Sequence, residues 1–450
     1  MRRLILALLL LYLLITAYRM IGDSNPSLAY IYATDAPELS ACQIPQSLPA
    51  GQIQCRIPIG IINSFTDRRG GCLSGGTEHK RGYEVALAEI RAINGCQVEL
   101  VQIDDAGNNT RAREGVLTLA NTNVPLILGA YSSGATLEAA AEAARVRIPL
   151  LVPSASSELI TSMGYEWVFR LNATSADYVS QALALTATLD DAPAVGILYE
   201  NTVFGESAAV AVTAQAEDLG VSIVAFESFQ PGVLSNALAN NPDRLALRVA
   251  RLRDTQPAAI FLIANSVDDA LNLLKLSRRE RLQPQLFVGI AGAFVSPDFL
   301  EQAGDEVENL VVTAQWSPDV AWGGNSAANK QFITNFTGKY GQQPGMRSVQ
   351  THTALWVAKA AIEQAAQAPN CAIAEIEIFR LCVRDALRTL RLEETLFGPI
   401  DFDDIRGQNS HEVLLLQAVK IDGHYQFVTV YPAAYQRQPV RLETEVNHGG

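Results

Sequence analysis

Histidine is scarce in this chain, with five residues in 450, at positions 79, 352, 411, 424 and 448. No two of them have the spacing of metal ligands, so they are expected on the surface or in loops rather than at a metal centre. Other signatures of catalysis are missing too. Ser133 is followed directly by Gly134, so there is no Gly-x-Ser-x-Gly elbow. No Gly-x-Gly-x-x-Gly opens a helix, and Gly338-Lys339 runs on into Tyr340, which excludes a P-loop. The carboxylate pairs Asp104-Asp105 and Asp268-Asp269 sit where helix caps or solvated faces are expected. No catalytic residue, metal or cofactor is therefore assigned. Basic charge is also short: 34 Lys and Arg against 47 Asp and Glu give a net charge of −13. A nucleic-acid partner, whose phosphates need a basic surface, is excluded on that ground. Beyond the N-terminus no apolar run is long enough to span a bilayer, which rules out a polytopic membrane protein. With 48% apolar and 18% charged residues, the chain is neither disordered nor a coiled coil.

What is present begins with an address. Met1-Arg2-Arg3 is a basic start, and Leu4 to Ala17 is apolar apart from Thr16, the pattern of a secretory signal peptide or an uncleaved signal anchor over 1–20. Ser27 and Ala29 are small enough to mark cleavage. Leu39-Ser40-Ala41-Cys42 has the form of a lipoprotein cleavage box, without the apolar stretch that should precede it. An extracytoplasmic location, in the periplasm or at the cell surface, follows. The six cysteines at 42, 55, 72, 96, 371 and 382 fit an oxidising compartment. Nearest-neighbour pairing, Cys42–Cys55, Cys72–Cys96 and Cys371–Cys382, is one of fifteen connectivities. Buried free thiols are the alternative.

After a leader over 21–54 the pattern becomes regular. Strand-like runs at 57–62, 98–103, 126–128 and 150–152 alternate with amphipathic helical stretches at 80–93, 110–120 and 136–146. A second series follows 168–171. Strands at 194–198, 222–226, 259–263 and 287–289 are interleaved with helices at 206–219, 245–253 and 268–278. Beyond 310–314 come helices at 329–340, 352–367 and 374–390, and then strand patterns from 397 to 431. Such alternation predicts an α/β fold of two Rossmann-like lobes, each a parallel sheet covered by helices.

Open parallel sheets bind ligands at the carboxyl ends of their strands, where helix N-termini present amide hydrogens. Two segments occupy such positions: Gly129-Ala130-Tyr131-Ser132-Ser133-Gly134-Ala135-Thr136 and Pro153-Ser154-Ala155-Ser156-Ser157. Both offer hydroxyls and backbone amides and no cation, which suits a small carboxylate better than a phosphate. Helix capping and turn chemistry account equally well for either loop alone.

These loops, with Ile57-Pro58-Ile59-Gly60, Gln102-Ile103-Asp104-Asp105, Gly164-Tyr165, Phe169-Arg170, Tyr199 to Gly205 and Phe397 to Phe402, make the chain resemble the type I periplasmic solute-binding proteins. The resemblance runs from about Ile57 to Val430 and is nearest the leucine/isoleucine/valine-binding group that serves ABC importers. It implies two lobes joined by three hinge crossings, 55–171 plus 317–397 and 172–316 plus 398–436, with a tail over 437–450. It also implies a solute held between lobes that close by hinge motion, and an ABC permease in the membrane as partner. Ser133, Ala155 and Ser156 would grip the solute's carboxylate, and Phe204 would cover it from the second lobe. Tyr131 and Ser132 of the same first loop, and Ser266 and Ala291 of second-lobe loops, complete the expected contacts. Three departures stand out. The stretch Gly289-Ile290-Ala291-Gly292-Ala293 lacks the acid that amino-acid binders use against the ligand ammonium, Phe204 lacks a tyrosine's hydroxyl, and Leu73-Ser74-Gly75-Gly76-Thr77 lacks an aromatic. Either Asp268 or Asp269 reaches in, or the solute is not an α-amino acid. The competing role is a membrane-tethered ligand-sensing domain of a signalling system.

Overall fold

The computed structural model describes residues 42–44, 55–189, 193–232, 242–320, 326–403, 405–409 and 412–443. The expected signal segment, most of the leader and the end of the tail lie outside the described residues, as do His411 and His448. Among the described residues no helix is long and apolar enough to cross a membrane.

Ile57, Ile59, Ile61 and Ile62 make β1 (Arg56–Asn63) apolar on both faces, as a strand sandwiched between helices must be. α1 (Ser74–Ile90) follows. It starts six residues before the expected Lys80 and stops before Ile93, because Ala92 and Ile93 form β2 (Ala92–Ile93) instead. β2 turns back antiparallel onto β3 (Cys96–Asp104) through Asn94-Gly95, both at positive φ, the pair that a tight hairpin turn favours. Next come α2 (Asn109–Ala120), β4 (Ile127–Leu128), α3 (Ser133–Val146), β5 (Leu150–Val152), the short α4 (Leu159–Ser162) and β6 (Val168–Arg170). Together they build a sheet in the order β2-β3-β1-β4-β5-β6, parallel except at β2.

The second series runs α5 (Ser175–Thr186), β7 (Ala194–Glu200), α6 (Val203–Ala216), β8 (Ser222–Phe229), α7 (Pro242–Asp254), β9 (Ala259–Ile263), α8 (Val267–Arg279), β10 (Leu286–Gly289), α9 (Pro297–Ala303) and β11 (Val311–Ala314). α10 (Ser326–Tyr340), α11 (Met346–Gln367) and α12 (Ile376–Thr389) come next, with β12 (Arg391–Leu392) paired to β13 (Ile400–Asp401). The hairpin of β14 (Leu414–Ile421) and β15 (His424–Tyr431) then extends the second sheet, ordered β15-β14-β11-β10-β9-β7-β8. β14 joins β11 antiparallel, and the strands from β11 to β8 are parallel. The α/β class and the two parallel-dominated sheets are as the alternation predicted.

Both sheets reverse direction in the same way. The chain steps from β1 outward to β3 and then returns to the other side of β1 at β4. It likewise steps from β7 to β8 and returns at β9. Each reversal opens a crevice at the carboxyl ends of its strands. The residues beyond β1 and β4, and those beyond β7 and β9, are therefore the ones topology directs toward a ligand.

Three expectations need correction. The cysteines pair as Cys42–Cys72, Cys55–Cys96 and Cys371–Cys382, so only the last nearest-neighbour pair is formed. Strand pairing decides this: Cys55 runs into β1 beside Cys96 on β3, with the Gln97 amide donating to the Cys55 carbonyl at 3.0 Å. The Cys42 sulfur, held in a disulfide, is not free to carry a lipid, which removes the lipoprotein reading. Finally, His79 and His352 are buried within α1 and α11, not exposed. His79 Nδ1 lies 2.8 Å from Asn63 Oδ1, and His352 Nε2 lies 2.7 Å from Glu89 Oε2. Burial drives the His79 pKa down to about 3, so it is a neutral imidazole hydrogen-bonded in the core. Among the described residues no cluster of His, Cys, Asp or Glu has the makings of a metal site.

Candidate functional site

The loop after β4 takes its shape from Gly129. Its φ is +140°, and a Cβ there would collide with the Ile62 carbonyl of the neighbouring strand. That close approach delivers Tyr131, Ser132 and Ser133 to the crevice at the start of α3. Ser132 is the N-cap, accepting from the Ala135 amide at 3.3 Å. Ser133, 3% exposed, accepts from the Ser157 amide at 3.3 Å and so ties this loop to the one after β5. In that second loop Ser156 shares a hydroxyl contact of 3.2 Å with Ser175. The capping and loop-joining expected of these serines is present, and Ser132, Ser133 and Ser156 also line the cleft between the sheets.

A buried arginine fixes the back of the loops. Arg170 is fully buried, and its guanidinium donates to the Ser157 carbonyl at 2.6 Å, to Thr161 Oγ1 at 2.9 Å and to Gln408 Oε1 at 2.5 Å. Desolvation lowers its pKa to about 10, still cationic at neutral pH. Asn172 donates to the Ser154 carbonyl, while its Oδ1 accepts from Tyr178 at 2.7 Å and from Gln350 at 2.8 Å.

On the second sheet, Thr202 caps α6 and sets Phe204 in the first turn, 8% exposed. Glu200, at the end of β7, accepts from the Asn265 amide at 2.7 Å and from the Thr202 hydroxyl at 2.7 Å, which pins the loop after β9. Burial raises its pKa to about 7. Ala291, at φ 40°, donates its amide to Thr313 Oγ1 at 2.9 Å, and Gly292 packs beside Phe204.

These loops surround a narrow cleft with an enclosed volume of about 40 Å³. Tyr131, Ser132, Ser133, Ala155, Ser156, Phe204 and Ala291 all line it. Ser266 does not. Its hydroxyl is the N-cap of α8, accepting from the Asp269 amide at 3.1 Å, and the residue is exposed. Its neighbour Asn265 takes the place in the wall instead. Neither Asp268 nor Asp269 reaches in: Asp268 is exposed, and Asp269 Oδ2 accepts from the Gly232 amide at 2.9 Å. No Asp or Glu is among the lining residues.

Two features went unseen in the sequence. Tyr131 fills the space left by the aromatic-free first loop, since a Cβ on Gly75 would collide with its hydroxyl. More consequentially, α11 begins at Met346 rather than His352, and its first two turns bring Met346, Arg347 and Gln350 into the wall. The expectation of a site without a cation is therefore wrong. Arg347, 4% exposed, lies over the Tyr131 ring at 5.3 Å and pairs with Glu78 at 3.6 Å. Pro344-Gly345 ahead of those turns was the available signal for an earlier helix start.

The two sides touch across the cleft. Ser157 and Ser207 hydroxyls meet at 2.6 Å, Ser296 donates to Glu78 at 2.6 Å, and Ser74 donates to Asp298 at 2.5 Å. Paired α/β sheets whose reversal points face one hydroxyl-lined crevice define the class of two-lobed solute-binding proteins.

Residues 56–424 match the periplasmic binding protein family, and the chain belongs to it. The Leu/Ile/Val-binding protein homolog 7 of Brucella abortus is 26% identical over 391 residues, covering 82% of this chain and 90% of that protein. Among solved structures, the leucine-binding protein LivK of Thermotoga maritima superposes with a TM-score of 0.70 at 20% identity, over 84% of this chain and 99% of that one. An ABC-transporter solute-binding protein of Rhodopseudomonas palustris, in complex with 3,4-dihydroxybenzoic acid, gives 0.69 at 20% identity over 83% and 96%. The type I fold and the leucine/isoleucine/valine-binding resemblance read from the sequence agree with these matches. The relatives are named as binding proteins, not enzymes.

Proposed function

We propose that this protein is the extracytoplasmic solute-binding component of an ABC-type importer, holding a small carboxylate-bearing solute, an amino acid or a related compound, in the cleft between its lobes. It would turn nothing over and would present its closed form to a membrane permease. The observation that carries this reading is the convergence of both reversal points on one crevice, with Ser133 and Ser156 in its wall. Leucine and 3,4-dihydroxybenzoic acid, named with two of the relatives, both present a carboxylate. The lobes would divide near Leu171, Trp316 and the segment after Phe397. Ile400 and Phe402 pack into the same core as Phe169, which favours a last crossing beyond Asn409.

A thermal-shift screen of amino acids, amides and small carboxylates tests the proposal. A true guest at a hundred times its dissociation constant adds about 2.7 kcal/mol to stability. Stabilisation by amides or other uncharged solutes, with none from any carboxylate, would end the carboxylate reading.

A further inference from the structure

The grip proposed above uses hydroxyls and amides and has no need of Arg347, yet this side chain is the most strongly charged part of the wall. It is nearly fully buried, and its satisfaction is incomplete. A guanidinium carries five N–H donors. Nη2 reaches Asn265 Oδ1 at 3.4 Å, close to the limit of a hydrogen bond. Nη1 lies 3.6 Å from Glu78 Oε1 and makes no hydrogen bond. Glu78 is itself only half engaged: Oε1 accepts from Ser296, while Oε2 has no partner. Burial, more than any other influence, raises the Glu78 pKa, and Arg347 opposes it.

Consider the two guests such a wall could receive. An ammonium brought into the cleft would meet a guanidinium and find no carboxylate among the lining residues. Unpaired charge in a desolvated site is costly, and like charge adds to the cost. An acid group would meet a free Nη1–H and supply the counter-charge that Glu78 provides incompletely. The aromatic ring under the guanidinium holds the fork in place, so little freedom is lost when it binds.

From this geometry we infer that Arg347 is a ligand-binding residue that pairs with an acid group of the guest, and that the guest is an organic acid without a free ammonium. The 2-oxo acid or the aromatic acid is then bound in preference to the α-amino acid of similar skeleton. This rests on the carboxylate reading and narrows it.

Calorimetric titration with matched pairs decides the matter: leucine against 4-methyl-2-oxopentanoate, and phenylalanine against phenylpyruvate and benzoate. The acids are expected to bind at least about tenfold more tightly than their amino-acid partners. Arg347→Gln should weaken the preferred acid by about 30-fold or more, and Arg347→Lys by less. Because Arg347→Gln strands Glu78, the neutral double variant Glu78→Gln/Arg347→Gln is titrated as well, with its fold checked by circular dichroism, and should show the same loss. Tighter binding of an amino acid than of its oxo acid overturns the inference. So does unchanged acid affinity in the folded double variant, which would leave Arg347 as a structural partner of Glu78. Both outcomes leave the carboxylate reading intact. A guest that carries no acid at all overturns both.

Discussion

The two walls of the cleft solve the same problem of reach with different chemistry. Each side uses the loops after a sheet's reversal point, but the first-sheet loops supply serines, whereas the second-sheet loops supply Phe204, Ala291 and Gly292 with a single amide, Asn265. The polar wall is cross-tied in front by Ser133 to Ser157 and behind by Arg170. The apolar wall has a buried acid behind it, Glu200, which accepts from the Asn265 amide and the Thr202 hydroxyl and does not line the cleft. A directional grip on one side and a shape-fitting cover on the other is the division of labour expected when polar contacts set orientation and apolar area adds affinity. α11 belongs to neither series, and it is the element that brings charge.

The contrast is broken most severely at Gly129. Replacing it with Ala forces a Cβ toward the Ile62 carbonyl at a φ that L-residues avoid, so about 3 kcal/mol or more of stability should be lost. Chemical denaturation measures this. A loss under about 1 kcal/mol would mean the loop can relax, and the polar wall would not depend on that close approach. Next in size is the acid behind the apolar wall. Glu200 has a folded pKa near 7, above its ordinary value, so the uncharged form is favoured on folding. Its contribution is therefore present at low pH and is lost as pH rises from about 4.5 through 7, by about 3 kcal/mol. Glu200→Gln keeps an acceptor for the Asn265 amide and no longer ionises. Denaturation midpoints followed from pH 4.5 to 8 should fall more steeply for the parent than for the variant. Parallel curves would show that Glu200 does not titrate in this window.

Much of this architecture is legible in the chain because strand and helix periods alternate cleanly, and β-branched runs such as Ile57 to Ile62 have no other use. What failed to register failed for local reasons. Gly75 reads as a loop residue when its real service is to make room for Tyr131 inside α1. Asn94-Gly95 is a hairpin signal hidden by helical periodicity on its N-terminal side. Placing the start of α11 at His352 hid Arg347, which stands in the turn before it. Ser266 reads as a binding residue because a capping serine and a ligand-facing serine look alike in sequence, and only the side-chain direction separates them. The cysteine pairing depends on which strands are neighbours, which spacing does not encode.

The finest test of the contrast lies in a single oxygen on the polar wall. Ser133→Ala removes a hydroxyl that accepts from the Ser157 amide and borders the cleft, without altering the fold of α3. Affinity for a bound carboxylate should fall by about 1–2 kcal/mol, and the unliganded protein should lose about 1 kcal/mol through the Ser157 amide left unpaired. Calorimetry and denaturation of the same preparation separate these two terms. If stability falls and affinity does not, Ser133 only ties one loop to the next, and the guest's acid rests on Arg347 alone. If both fall, the acid is held between a neutral hydroxyl and a buried cation supplied by different parts of the chain.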